Sequence, residues 1–457
     1  MADLKRALET RHVNMIALGG SIGTGIFLAS GYSIATGGPG GALFSYILIS
    51  IIVYFLMTSL GEMSVHCPSS GSLCDYGYQY VGESYGFAMG YNYWLSWAIT
   101  VAAEISAASL IMVYWFPTVP SIIFSVLFFV LILLFNIFSV RLYGEVEYYM
   151  SFIKVAVIII FIICGVCIIA MHPATVVTNF TSGDAPFHNG FLGIVAVFLF
   201  AGYSFQGTEL IGVASGETKD PSVTIPKAVR MIFWRISLFY ILSIFIISAL
   251  FNYTDAKLLD SQVLSSPYTL LFAKYIGKLA GDLINFIILI ALLSAANASI
   301  YSSSRIMWFL GNRSKNKVVG KLNKHGTPTN ALLFTAVFGA LAFLCSFIKN
   351  GLLFTMLVNI ASISCFVAWL GIAFTHYKFR TNFVKQNNIN LIYKAKFYPY
   401  AQFTSIIVLF VIIISQFLTF TSSMSIYEKI SIYAGVLPFI LFYLGHKFIY
   451  KRYRKPA

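Results

Sequence analysis

The chain has 457 residues, 58% of them hydrophobic and only 10% charged, with a mean hydropathy of +0.82. A water-soluble protein of this size would show short amphipathic stripes separated by polar surface, so this balance excludes a soluble fold. The formal charge of +14 does not point to nucleic acid, because the basic residues gather in particular connections between apolar runs, the pattern that orients a membrane protein.

A bilayer-spanning helix needs about 20 mostly apolar residues. Reading apolar runs between polar breaks predicts twelve spans, near 13–36, 41–65, 85–115, 120–140, 147–171, 190–216, 228–251, 280–306, 328–348, 352–377, 400–420 and 430–450. The charged lead-in "DLKRALETRH" has no compact apolar core ending at a small-residue cleavage site. Residues 1–12 are therefore expected to be a cytoplasmic segment rather than a cleavable signal. With that end inside, every Lys and Arg except Lys257, Lys274, Lys278, Lys349 and Lys429 falls on the inner side. Both termini are then expected in the cytoplasm. This divides the chain into a ten-helix core at 13–377, an inner loop at 378–399, two additional spans at 400–450 and a basic tail at 451–457.

The first span carries "GGSIGTGIF" (Gly19–Phe27), and each of its four glycines should cost a helix about 1 kcal/mol relative to alanine. In span 2, Glu62 of "GEM" reads as a hinge or as a partner for a basic residue at the inner gate. Glu104 stands alone in span 3 within "VAAEISAASL", and a carboxylate at that depth is a functional candidate by default. Lys154 lies in span 5 between "YYMSFI" and "VAVIII". A lysine there either snorkels to the interface or performs a task worth roughly 2.5–3.5 kcal/mol of insertion cost. Cys164 and Cys167 in the same span have no second ligand pair and no thiolate-stabilising neighbour, so they are expected as buried small apolar side chains.

Span 6 carries the second interruption, "GYSFQGTEL" (Gly202–Leu210), with Glu209 at its end. Glu217 follows in "GETKDP" near the surface, where a solvated or loop-capping role and a transport role stand equal. Asp255 and Asp260 lie in the outer connection before span 8. The basic stretch "NRSKNKVVGKLNKH" and the tail "KRYRKPA" fit topology and contact with anionic lipid headgroups.

Non-helical backbone is tolerated at membrane depth only where it is buried in protein or lines a polar cavity. A break there frees N–H groups on the following half-helix, which suit a carboxylate, and C=O groups on the preceding half, which suit an ammonium. Two such breaks facing each other would hold an α-amino acid. Five spans separate the two starts, so the two run in opposite directions, as in an inverted repeat of five spans opened each time by a broken helix. The alternatives for the glycine run are a small-residue packing face and a nucleotide loop. The second lacks both the G-K-[ST] and the preceding strand that it needs.

The segments "HVNMIALGGSIGTGIF", "GPGGALFSY", "GYQYVGESYGFAMGYNYWLSWA", "VRLYGEVEYYMSFIKV", "GYSFQGTELIGVASGETKDPSVTIPKAVRMIFWRI" and "NASIYSSSRIMW" together resemble the amino acid permeases of the amino acid–polyamine–organocation superfamily. The likeness runs from about residue 8 to residue 450, and "SFQGTELIGVASGETKDP" looks most like the lysine-transporting members. It implies an all-α polytopic fold of the leucine-transporter type, proton-coupled symport and a place in a bacterial inner membrane.

The resemblance also implies site residues. The substrate carboxylate would meet Ser21, Ile22, Gly23, Thr24 and Gly25. The ammonium would meet carbonyls at the end of the first half-helix and from Ala201 to Tyr203. Tyr203 and Phe205 would close over the ligand as aromatic walls, with core packing the other reading of Phe205. Relatives hold a lysine at the position of Lys154, near where sodium-coupled cousins bind an ion. An ammonium there would replace sodium and exchange a proton. As carboxylates at membrane depth rather than by resemblance, Glu209 is expected to bind the ammonium or exchange a proton and Glu104 to face a cationic side chain. Relatives that carry uncharged amino acids have a Glu at the Glu104 position too, so it does not prove a lysine substrate.

The expectation is a proton symporter importing an amino acid, with L-lysine as the substrate and another cationic or neutral amino acid as the alternative. A transporter that also signals to a regulatory membrane protein is a further alternative. An enzyme lacks support, since the spans hold no H-E-x-x-H, no Ser/His/Asp set and no nucleotide loop. No cofactor and no metal are expected.

Overall fold

The computed structural model describes residues 11, 15, 20–138, 140–255, 258, 266–324, 326–348, 352–420, 424 and 426–453. The expectations on 1–12 (Arg11 apart), on 13–19 (Met15 apart), on Lys257, Asp260 and Lys349, and on the tail from 454 lie outside these residues.

All regular elements among the described residues are helices. In chain order they are α1 (Thr24–Phe27), α2 (Ala29–His66), α3 (Ser72–Tyr80), α4 (Glu83–Val113), α5 (Ser121–Phe138) and α6 (Val140–Met171). Next come α7 (Pro173–Thr181), α8 (Gly190–Phe205), α9 (Leu210–Ala214), α10 (Pro221–Leu250), α11 (Pro267–Tyr275) and α12 (Lys278–Arg313). The last are α13 (Thr329–Gly339), α14 (Leu352–Lys378), α15 (Tyr400–Ser415), α16 (Ile426–Ala434) and α17 (Leu437–Tyr453). Short 3-10 turns extend α9, α13 and α15, and a π-helical turn at Phe379–Val384 extends α14.

Seven helical runs among the described residues are long and apolar enough to cross a membrane, and the bent pair α16–α17 makes an eighth. Shorter apolar helices at Ser121–Ile137, Ser237–Leu250 and Thr329–Leu344 fall where spans 4, 7 and 9 are predicted. With 38 residues, α2 would reach about 57 Å as one helix, nearly twice a bilayer core. It is divided at Gly38, where φ is 72°, and Pro39 follows without an N–H to continue the ladder. The division falls between predicted spans 1 and 2. The N–H groups of Gly40 and Gly41 turn instead to the carbonyl of Pro186.

The last predicted span, 430–450, is not one helix: α16 and α17 meet at 50°. Gly435 lies between them, pressed so closely on α14 that a Cβ would sit 2.6 Å from the Ile360 carbonyl oxygen.

Which faces are buried follows the logic of a lipid solvent. On α6, Glu147, Ser151 and Lys154 turn inward, while Ile159, Ile160, Ile163 and Val166 are exposed. The predicted burial of the cysteines on this helix is corrected: Cys167 is exposed and Cys164 half-buried, both on a face that lipid would cover. By contrast α4 is a central post, with 89% of its apolar window buried against 33% for the run Tyr143–Met171 within α6. That placement puts Glu104 in the middle of the molecule.

Candidate functional site

The site is built where the chain stops being helical. Gly20 and Ser21 form a turn, Ile22 has no regular structure, and Gly23 forms a bend before α1 begins at Thr24. In the second interruption α8 ends at Phe205, Gln206 to Glu209 form a turn, and α9 starts at Leu210. Gly207 has a φ of +107°, a conformation that side chains resist.

The two breaks touch. A Cβ on Gly207 would lie 2.5 Å from the Gly20 carbonyl oxygen and 2.9 Å from Ser21 Cα. A Cβ on Gly25 would lie 2.4 Å from Ser204 Cα, so α1 presses on α8 backbone to backbone. Glycine at these two positions is what lets the segments meet.

Charges of the chain itself sit on the first break. Lys154 Nζ donates to the carbonyl of Ile22 at 3.2 Å. It also pairs with Glu147 Oε1 at 3.6 Å, both side chains fully buried. Tyr240 donates its hydroxyl to the Ser21 carbonyl at 2.7 Å. On the other side of the break, Thr24 donates its hydroxyl to Glu104 at 2.8 Å and its backbone N–H at 3.4 Å. Tyr203 donates to the same carboxylate at 3.2 Å. The N–H end of the break thus meets a carboxylate and the C=O end an ammonium, as helix dipoles favour. Both groups belong to the protein.

Between the breaks lies a cavity of about 10 Å³, room for about one water. Its lining includes Ser21, Gly23, Gly25, Glu104 and Tyr203 from the expected set. Ile22 and Thr24 stand beside it and serve Lys154 and Glu104. Ala201 is buried within α8, and the carbonyls of Gly202 and Tyr203 accept the N–H of Gln206. Phe205 does not reach the cavity. Its ring lies 4.7 Å from Tyr240 and 6.1 Å from Tyr46, centroid to centroid.

Glu209 does not line the cavity either. One of its oxygens accepts from the Gly207 N–H, the Thr208 hydroxyl and the Trp369 indole. The other has no hydrogen-bond partner among the described residues.

Sequence reasoning missed Trp97, Thr100, Gln206, Ala295 and Ser299 in the lining, and Glu147 and Tyr240 behind it. Two signals were available. Trp97, Thr100 and Glu104 are spaced i, i+3, i+7, one face of α4. Glu147 precedes Lys154 by seven residues, about two helical turns, so opposite charges share a face of α6.

A second polar layer lies toward Glu217. Arg305 Nε donates to Glu217 at 3.1 Å, both buried, and its guanidinium covers the Tyr301 ring at 3.9 Å. Tyr301 stacks on Tyr143 at 4.0 Å with the rings parallel to within 1°. Glu62 accepts from Arg380 and from the N–H of Ala395, with His376 Nε2 3.2 Å away. A basic partner for Glu62 was expected; burial of Glu217 was not.

A bundle of apolar helices, broken twice where the breaks face each other over buried charges, is the frame of a secondary transporter. The chain belongs to the amino acid permease family, whose model matches residues 12–456. It is a multi-pass membrane protein that takes an amino acid substrate, and its named relatives are permeases rather than enzymes. It is 45% identical to the lysine-specific permease LysP of Escherichia coli (strain K12), covering 98% of this chain and 94% of that relative. It is 42% identical to the histidine permease HisP of Lactococcus lactis subsp. cremoris, covering 98% and 96%. It is also 42% identical to the lysine-specific permease LysP of the same strain, covering 98% and 90%.

Proposed function

We propose that this permease is a proton symporter importing L-lysine across a bacterial cytoplasmic membrane, with both termini inside and its first ten of twelve spans forming an inverted repeat. The observation that carries the reading is the seat of Lys154. Its ammonium holds the Ile22 carbonyl of the first break at 3.2 Å, with Glu147 on one side and Glu104 across the break. A fixed cation at that place does the work a bound sodium ion would do and carries an exchangeable proton.

The substrate carboxylate docks on the N–H groups of Gly23 to Gly25, displacing the long contact from Thr24 N to Glu104. Glu104, the one carboxylate among the lining residues, reads positive charge on the ligand. Trp97 and Tyr203 form the aromatic walls, and Gln206, held by Ser96 and Thr100, contributes a polar floor. Lysine rather than histidine is favoured by the two lysine-specific relatives, and the histidine permease supplies the competing substrate.

Reconstituted protein in proteoliposomes tests this directly. Radiolabelled lysine should accumulate when the outside is made acidic, with no requirement for sodium, and unlabelled histidine should compete poorly. Sodium-dependent uptake that ignores the proton gradient would refute the coupling. Histidine outcompeting lysine would reassign the substrate.

A further inference from the structure

We infer that Glu147 is a second proton carrier, which takes the proton from Lys154 and delivers it to the inner side. This rests on the symport reading above. The buried centre holds two carboxylates, Glu104 and Glu147, against one ammonium, Lys154. When all three are ionised the group carries one uncompensated negative charge in a medium that penalises it heavily. One extra proton or one cationic ligand balances it.

Glu147 is prepared for both protonation states. Ser294 donates to its Oε1 at 2.8 Å and Ser151 at 3.1 Å, while Asn297 donates to Oε2 at 3.4 Å. Asn297 is in turn fixed by Asn136 at 2.6 Å. Hydroxyls can turn to accept as well as donate, so two of these three partners remain satisfied when the carboxylate becomes an acid. Lys154 Nζ stands 3.6 Å from Oε1, slightly beyond hydrogen-bond reach. A small rotation of the lysine away from the Ile22 carbonyl closes that gap.

In the step itself the Nζ–H bond of Lys154 breaks and an O–H bond forms on Glu147. The ammonium becomes a neutral amine and the carboxylate a carboxylic acid, with total charge unchanged. Glu147 then releases the proton to water admitted from the inner side. The two carboxylates left ionised beside a neutral Lys154 are solvated by that water, and a proton entering from outside recharges Lys154 once the inner route has closed. The route inward starts at Tyr143, one turn before Glu147 on α6 and within electrostatic reach of Glu147, Arg305 and Glu217. The stack of Tyr143 on Tyr301, with Arg305 over Tyr301 and paired to Glu217, seals this route. Parting of Arg305 from Glu217 admits the water. The groups facing Glu147 are thus Lys154, Ser151 and Tyr143 on its own helix and Ser294 and Asn297 on α12. Asn136 on α5 stands behind Asn297, and Tyr301 with Arg305 behind Tyr143.

The experiment compares proton-driven net uptake with lysine–lysine exchange for the full-length chain in proteoliposomes. Exchange returns the carrier loaded and needs no proton release. Glu147→Gln should lower proton-driven accumulation about 100-fold or more, the scale of a lost acid–base group. Exchange should stay within about threefold of wild type. Glu147→Asp retains a carboxylate on a shorter arm, and should keep exchange while shifting the pH profile of net uptake.

Proton-driven accumulation surviving in Glu147→Gln would overturn the inference, as would equal loss of both activities. If Glu147→Gln does not fold, an Asp variant with an unchanged pH profile would overturn it as well. Wild-type uptake that ignores the proton gradient would instead bring down the symport reading, and this step with it.

Discussion

The two helix breaks use the same backbone device and are furnished differently. At the first, both open ends meet charged groups: Lys154 takes the Ile22 carbonyl and Glu104 takes the Thr24 N–H, with Tyr240 on the Ser21 carbonyl. At the second, the turn is held by neutral groups and one carboxylate. Gln206 donates to Ser96 and Thr100, its Oε1 is without a partner, and Glu209 leaves one oxygen unpartnered among the described residues. Buried polar atoms that lack partners are rare because each costs about 1–3 kcal/mol. The first break therefore stands satisfied and charge-coupled, and the second stands underbonded, ready to change partners. On the proposed symport reading this contrast assigns coupling to the first break and gating to the second.

Removing Lys154 should break that contrast most severely. Lys154→Ala strands Glu147 and Glu104 without their cation, and breaking a buried pair in this way costs about 3–5 kcal/mol. Net uptake should vanish and thermal stability of the detergent-solubilised protein should fall. The double variant Lys154→Gln with Glu147→Gln should regain most of the stability but none of the proton-driven uptake. Stability of the double variant no better than that of Lys154→Ala would show that the pair is not the unit described here.

Gly207→Ala comes next. It places a side chain at a positive φ, at about 1–2 kcal/mol, and drives a Cβ to 2.5 Å from the Gly20 carbonyl oxygen. The first and second breaks must separate, so transport should be lost with a clear drop in melting temperature. Gly41→Ala is the matched control, since its Cβ would meet nothing nearer than 3.4 Å. Equal behaviour of the two variants would mean that contact between the breaks is not needed.

A smaller effect separates the carboxylates. Glu104→Gln keeps an acceptor for Thr24 but loses charge on the cavity wall, and should raise the lysine KM by about 10-fold or more. Glu209→Gln, away from the cavity, should lower the maximal rate more than it alters KM. An unchanged KM in Glu104→Gln would remove this residue from recognition of the cation.

Much of this was legible in the sequence because lipid leaves strong marks. Long apolar runs announce helices, and glycine with small polar residues inside two of them announces breaks. Lys154, Glu104 and Glu209 stand out because charge at that depth is expensive. The pairing of Glu147 with Lys154 was written in their spacing, yet Glu147 fell at the predicted start of span 5, where interface and interior look alike in composition. Arg305 was hidden similarly: it sits near the end of α12 in "SSSRIMW", and only the fold brings Glu217 to it. Trp97 and Ser299 line the cavity because α4 and α12 present those faces to it. Rotation of an apolar helix that is polar on no consistent side cannot be read from hydropathy.

The smallest effect tests which aromatic residue of α8 faces the ligand. Tyr203 and Phe205 are two positions apart, so on a helix they point about 200° from each other. Both cannot line one cavity. The structure gives the cavity to Tyr203, whose hydroxyl reaches Glu104, and packs Phe205 against Tyr46 and Tyr240. Phe205→Leu is thus a change of shape within the core, with an expected cost below about 1.5 kcal/mol and little change in lysine KM. Tyr203→Leu removes both a wall and a hydrogen bond to a charged group, worth about 1.5–3 kcal/mol, and should raise KM clearly. If the order were reversed, with Phe205→Leu the more damaging to KM, α8 would have to turn by half a revolution between this closed cavity and the substrate-loaded one. The contact of Gly25 with Ser204 at the backbone leaves no room for that turn.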